Sequence, residues 1–177
     1  SALNKWINLT VSNVTSNTVS GYYGTFFYNG VNVNISNTSA IYVVPLNNSV
    51  ITNGVTIDGN NNIVFAYAGI YNVQYSIQYT NSGNSVDDVD VWLRQNYIDQ
   101  TDTNSIFSIP SRETGTIPGK LIAVTPLTVN VNAGDSIQLV TSSATGTSQM
   151  TTVPVQTNPN VPETPAVIIL VEQVSKI

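Results

Sequence analysis

The 177-residue chain has no cysteine and no histidine. The first absence removes disulfides as a source of stability. Together the two exclude a Ser-His-Asp triad, a thiol nucleophile and a histidine-containing zinc site. Charge is also scarce: Asp, Glu, Lys and Arg make up 8% of the residues, against about 25% in an average domain. Lys5, Arg94, Arg112, Lys120 and Lys176 are the whole cationic complement, and the net charge is −5. A groove for nucleic acid needs clustered cations, so no nucleic-acid partner is expected. No run of 18 apolar residues occurs, so no membrane insertion is expected. Residues 1–20 have neither a basic start nor an apolar core, and no secretory signal is expected. No Gly-rich loop ahead of a helical pattern is present to cradle phosphates, and no cofactor is expected.

What remains is an uncharged polar chain with a substantial core. Hydrophobic residues reach 41%, which excludes a disordered composition. A compact chain of this length buries roughly 70% of its unfolded surface and needs no covalent staple. Alternation with a period of two recurs along the chain, and helical periodicity does not. The pattern predicts strands over 5–11, 22–28, 41–44, 50–57, 62–67, 70–80, 88–95, 105–109, 120–124, 126–131, 136–141, 150–155 and 166–174. Asn29-Gly30, Asn53-Gly54, Asp58-Gly59, Ser82-Gly83, Pro118-Gly119 and Ala133-Gly134-Asp135 separate them with residues that tolerate positive φ. Gly134 is the expected positive-φ position of its turn, and Asp135 is placed to bond that turn's amides. Many short strands with frequent turns imply an all-β sandwich or jelly roll.

Three segments are too apolar for a lone two-sheet sandwich: IVFAY (63–67), VDVWL (89–93) and AVIILV (166–171). One face of each sheet should meet water. In the run from Val89, Trp92 falls on the polar face with Asp90 and Arg94. Either a neighbouring subunit or an overhanging loop of the same chain must cover it. An Arg94–Asp90 pair beside the indole would suit a subunit interface, where Arg and Trp are over-represented. A surface ion pair worth ~0–1 kcal/mol is the alternative. Residues 142–165 carry four of the eight prolines. They read as a rigid surface crossover or, alternatively, a ligand-contacting loop.

Half of the ten acids lie between 87 and 102: Asp87, Asp88, Asp90, Asp99 and Asp102. Asp88 and Asp90 share a strand face at a separation a glycosidase could use, but nothing marks a substrate cleft, and no enzyme is expected. Asp87, Asp88 and Asp90 are candidate calcium ligands, although SVDDVD lacks the spacing of a calcium loop.

The order of motifs carries a resemblance. YGTFFYNG (23–30), GVTID (54–58), NIVFAYAGIYNVQYSIQ (62–78), DDVDVWLRQN (87–96), SIPSR (108–112), VNAGDSIQLV (131–140) and PAVIILVEQV (165–174) together resemble a virion-surface jelly-roll domain of tailed phages and large DNA viruses. Such domains are similar to complement globular heads and tumour-necrosis-factor-like trimers. The resemblance covers roughly residues 21–175. It implies an antiparallel two-sheet jelly roll of about ten strands over 21–177, assembled as a homotrimer. Residues 1–20 fall outside it, as an extension, a linker or an added edge strand. It also implies a non-enzymatic role at the virion surface, as a fibre, tail or head decoration. The expected partners are the chain itself, other virion proteins and a host surface receptor or glycan. A purely structural capsid vertex or decoration protein, and an adhesion head on a bacterial or spore surface, are the rivals. The expected subunit contacts are Trp92, Arg94 and Asp90. The expected ligand loop is Asn96, Tyr97 and Asp99, with 142–163 beside it; Tyr and Asn suit both sugar contacts and plain turns.

Overall fold

A computed structural model describes residues 21–177. The strand expected over 5–11, and the 1–20 extension with it, lie outside the described residues. The strands in chain order are β1 (Tyr23–Tyr28), β2 (Val33–Ile35), β3 (Tyr42–Val43), β4 (Asn48–Asn53), β5 (Val55–Ile57), β6 (Ile63–Phe65), β7 (Gly69–Asn81) and β8 (Asp87–Gln95). There follow β9 (Ile98–Asp99), a 3-10 turn over Thr101–Thr103, β10 (Ser105–Ile109), β11 (Gly119–Val131), β12 (Ser136–Ser143), β13 (Ser148–Met150), β14 (Gln156–Thr157), β15 (Asn160–Val161) and β16 (Val167–Ser175).

They form the expected antiparallel two-sheet sandwich. The first sheet runs β2-β13-β7-β16-β1-β4, with β11 on the other side of β7. The second runs β10-β8-β12-β6-β5, with β3 on β12 and β9 on β8. Strand β7 organises the first sheet. It pairs with β11 along its whole length, from Gly69↔Val131 to Asn81↔Gly119. Its other edge is shared by β16 and, near its end, β13.

The period of two decides which residues fill the space between the sheets. Tyr71, Val73, Tyr75, Ile77 and Tyr79 of β7 are buried, with Val167, Ile169 and Val171 of β16 beside them. Val89, Val91 and Leu93 of β8 and Ile137 and Leu139 of β12 face them from the second sheet. Full burial of such a side chain stabilises by roughly 1.5–3 kcal/mol. The large tyrosines also need partners for their hydroxyls. Tyr79 reaches across the core to Thr141 Oγ1 at 3.0 Å, and Tyr71 donates to the Tyr67 carbonyl at 2.9 Å.

Several segments depart from the expected elements, and β2, β9, β14 and β15 are short strands outside the expected set. The stretch 50–57 is two strands, not one. At Gly54 (φ +68°) the chain leaves the first sheet, where β4 pairs with β1, and enters the second, where β5 pairs with β6. Conversely, 120–124 and 126–131 are one strand. Proline in a ladder costs a donor, but among the described residues β11 is paired only on its β7 side, so Pro126 is tolerated on an edge strand. The strand expected over 150–155 is shorter and earlier, Ser148–Met150. At Asp58-Gly59 the positive φ belongs to Asn61, not Gly59. Asp58 Oδ1 accepts from the amides of Asn60 and Asn62 (2.8 and 2.9 Å) and sets that turn by side-chain bonding. At the β11–β12 turn the expectation holds: Gly134 has φ +88°, and Asp135 Oδ2 accepts from the Asn132 amide at 2.7 Å.

Candidate functional site

Two surfaces stand out, one on the outer face of each sheet. On the second sheet, β8 turns Asp88, Asp90, Trp92 and Arg94 outward while Val89, Val91 and Leu93 are buried. After Gln95 the chain reverses through Asn96 and Tyr97, both at positive φ (50° and 67°), and returns as β9. This two-residue hairpin folds Asp99 back over the β8 face, opposite Arg94. Asp99 Oδ1 accepts from Trp92 Nε1 at 2.8 Å and from Arg94 Nε at 2.6 Å. These two donors, Arg94 first, hold the Asp99 carboxyl below its ordinary pKa. The 3-10 turn follows, and Asn104 donates to Asp90 Oδ1 at 2.8 Å. Asp90, Trp92, Asp99, Thr101, Asn104 and Ser142 thereby line an open concavity of about 390 Å³.

The sequence expectations divide on this geometry. Asp90, Trp92 and Asp99 come together, as does Arg94. The Arg94–Asp90 pair does not form: Arg94 bonds Asp99, which the hairpin delivers, and Asp90 bonds Asn104. Trp92 is half-buried, and its own chain overhangs its polar edge. Its cross-strand neighbour Val140 is fully buried on the same outer face, so the indole has a packing role within the chain.

Asn96 does not line the concavity. Its amide donates to Asp135 Oδ1 (2.8 Å) and accepts from the Ser136 amide (2.9 Å), a structural clasp across the turn. Tyr97 is exposed, with its hydroxyl accepting from Asn62 at 2.9 Å. Thr101 and Asn104 were not foreseen. Ser142 is the first residue of the expected 142–163 stretch, and it reaches the site by pairing with Asp90 in the β8–β12 ladder. The other two depend on the turn after β9, which alternation does not reveal.

The three candidate calcium ligands are not brought together. Asp87 points inward, opposite to Asp88 and Asp90, and is fully buried. It accepts from Ser143 Oγ (2.6 Å) and from the Thr145 amide (2.9 Å). Burial raises its pKa, but these hydrogen bonds outweigh it and leave the carboxyl lowered. Asp88 accepts from Ser108 at 2.6 Å. Among the described residues, no group of three Asp or Glu side chains could hold a metal.

The second surface is the outer face of the first sheet. There β11, β7 and β16 bring Val124, Ser76 and Ile168 into one row and Pro126, Gln74 and Leu170 into the next. Ile122, Val124, Ile168 and Leu170 are 56%, 46%, 42% and 37% exposed. A shallow depression of about 180 Å³ lies among Gln74, Ser76, Val124, Ile168 and Leu170. The unbroken apolar run Ala166–Val171 therefore buries one face and leaves the other open in the single chain.

No family model matches the chain, and no curated protein matches it by sequence. Among solved structures, it is similar to the TNF Eiger of S. frugiperda, with a TM-score of 0.54 at 14% identity. The match covers 89% of this chain and 94% of that one. At that identity the likeness shows the fold: a jelly roll of the TNF-like kind.

Proposed function

We propose that this chain is a non-enzymatic jelly-roll module that assembles as a homotrimer on the outside of a viral particle and contributes to host attachment. The observation that carries the assembly is the uncovered aliphatic patch of Ile122, Val124, Ile168 and Leu170 on the first sheet. Isolated exposed aliphatics need no explanation, but a contiguous patch marks an interaction surface. The occupant is a second copy of the chain. The TNF-like fold supports this choice, and so does the scarcity of charge, which leaves little on this face to repel a like surface. The self-association surface therefore moves from Trp92 to the opposite sheet. The particle role rests on the motif order in the sequence. A trimer would sum weak contacts through avidity, as an attachment module requires.

Sedimentation at micromolar concentration tests the assembly. The expected mass is three times the 19.0 kDa of one chain; a clean monomer overturns it. For the particle role, antibodies against the chain should label assembled particles, and the isolated trimer should label host cells. Labelling of empty capsids without any binding to cells would replace attachment by a purely structural role.

A further inference from the structure

We infer that the concavity lined by Trp92 is a binding site for a neutral saccharide. The inference deepens the attachment reading and rests on it only for where the sugar comes from. The chemistry of the wall selects the ligand class. A pyranose has an apolar C–H face and a rim of hydroxyls that both donate and accept. The half-buried Trp92 lines the concavity with part of its indole accessible, and its Nε1–H is already committed to Asp99. The ring is thus fixed before any ligand arrives, which lowers the ordering cost of binding.

Around it stand groups of both hydrogen-bonding senses. Asp90 and Asp99 each use only Oδ1 in the bonds that fix them, and among the described residues no group bonds either Oδ2. Asn104 spends its amide N–H on Asp90 and keeps its carbonyl oxygen. The hydroxyls of Thr101 and Ser142 can donate as well as accept. Such an arrangement matches vicinal hydroxyls, which donate to carboxylates and accept from side-chain hydroxyls.

Two alternatives fit less well. An acidic sugar or a phosphate would meet two carboxylates, and Arg94, the cation beside the site among the described residues, is paired with Asp99. A quaternary ammonium would suit the negative charge, but such ligands are held by cages of several rings, and among the described residues this concavity is lined by a single ring, that of Trp92. At about 390 Å³ the space lies at the small end of ligand sites, which suits one or two sugar rings.

The chain has two tryptophans, and Trp6 lies outside the described residues. The Trp6→Phe variant therefore makes Trp92 the only indole reporter. Glucose, galactose, mannose and N-acetylglucosamine are titrated against its emission, with tetramethylammonium and glucuronate as comparators, and the same protein is applied to a neutral-glycan array. The expected result is a saturable emission shift with at least one neutral sugar and matching array binding. Asn104→Ala and Ser142→Ala are expected to weaken that binding at least tenfold while the melting curve stays unchanged. A shift with tetramethylammonium alone, with glucuronate alone, or with nothing on a folded protein overturns the site. The two readings fail separately. Sugar binding without any labelling of host cells would sink attachment and keep the site. Host-cell labelling that survives Asn104→Ala and Ser142→Ala unchanged would sink the site and keep attachment.

Discussion

The outer faces of the two sheets solve the same problem in opposite ways. Both belong to a sandwich short of charge, and both carry large apolar side chains where water is expected. On the second sheet, the β8–β9 hairpin and the turn after it return polar groups to the indole. The indole, the guanidinium and the Asn104 amide each have a partner within the chain: Trp92 and Arg94 on Asp99, Asn104 on Asp90. On the first sheet the aliphatics of β11 and β16 flank the amides and hydroxyls of β7, and no loop among the described residues returns over them. Polar groups can be satisfied locally and still keep spare hydrogen-bonding capacity. Aliphatic groups can only be removed from water by another surface. That difference is why we propose a second copy for the first face and a small polar ligand for the second.

The strongest way to break this contrast is to charge the aliphatic face. Ile168→Asp with Leu170→Asp should abolish the proposed trimer, weakening association at least ~100-fold. Each aliphatic is worth roughly 1.5–3 kcal/mol when buried, and every copy contributes the pair. Trp92→Ala should leave the sedimented mass unchanged. If the two outcomes are exchanged, the faces have been assigned the wrong way round.

A middle-sized effect separates the two faces of β8 itself. Asp87 is sealed in the core between Ser143 and Thr145, while Asp90 lies on the rim of the concavity. Asp87→Asn should cost about 2 kcal/mol, the range for charge-assisted hydrogen bonds, and lower the melting temperature by about 4–8 °C. Asp90→Asn should cost less than ~0.5 kcal/mol. The sign with pH follows from the lowered carboxyl of Asp87. A group with a lower pKa folded than unfolded stabilises fully above the unfolded value, about 3.9, and loses that contribution as pH falls through the folded value. The stability gap between the native chain and Asp87→Asn, read from urea unfolding, should therefore be constant from pH 5 to 7 and close below pH 4. A gap that widens on acidification would mean the carboxyl is raised, and that burial outweighs its partners.

Alternation alone revealed most of the sandwich, because a period of two leaves little choice about which side chains meet. It placed Tyr71 to Tyr79 inward and Asp90, Trp92 and Arg94 outward, as the structure has them. It also flagged AVIILV as too apolar for one buried face, although it could not tell which sheet carries the larger open surface. It failed where tertiary context decides. The switch of sheets at Gly54 lies inside a stretch read as one strand although Asn53-Gly54 carries a turn signal, and only the pairing of β4 with β1 and of β5 with β6 separates the halves. Pro126 looks like a break, and only its place on an edge strand makes it tolerable. The partner of Arg94 was misassigned for the same reason: Asp90 is its neighbour in sequence, but the turn at Asn96-Tyr97 brings Asp99 closer. Neither residue of that turn is glycine, so the usual composition signal was missing.

The smallest effect sharpens the description of the concavity without disturbing the fold. Asp99 holds the indole through its ionised form, which Arg94 first and Trp92 second favour over the neutral acid. Its folded pKa is therefore below the ordinary 3.8, and acid should loosen the Trp92 hydrogen bond only beneath that value. In the Trp6→Phe chain, Trp92 emission should step at a midpoint below 3.8. Asp90 is the other carboxylate on the same wall, so the measurement belongs in a background that also carries Asp90→Asn. Asp99→Asn should erase the step. Arg94→Met removes the leading cause of the shift and should move the midpoint upward toward the ordinary value. A midpoint above 3.8 in the parent, or a step that survives Asp99→Asn, would mean that the indole is held by something other than this carboxylate. The fixed ring on which the saccharide site depends would then lose its support.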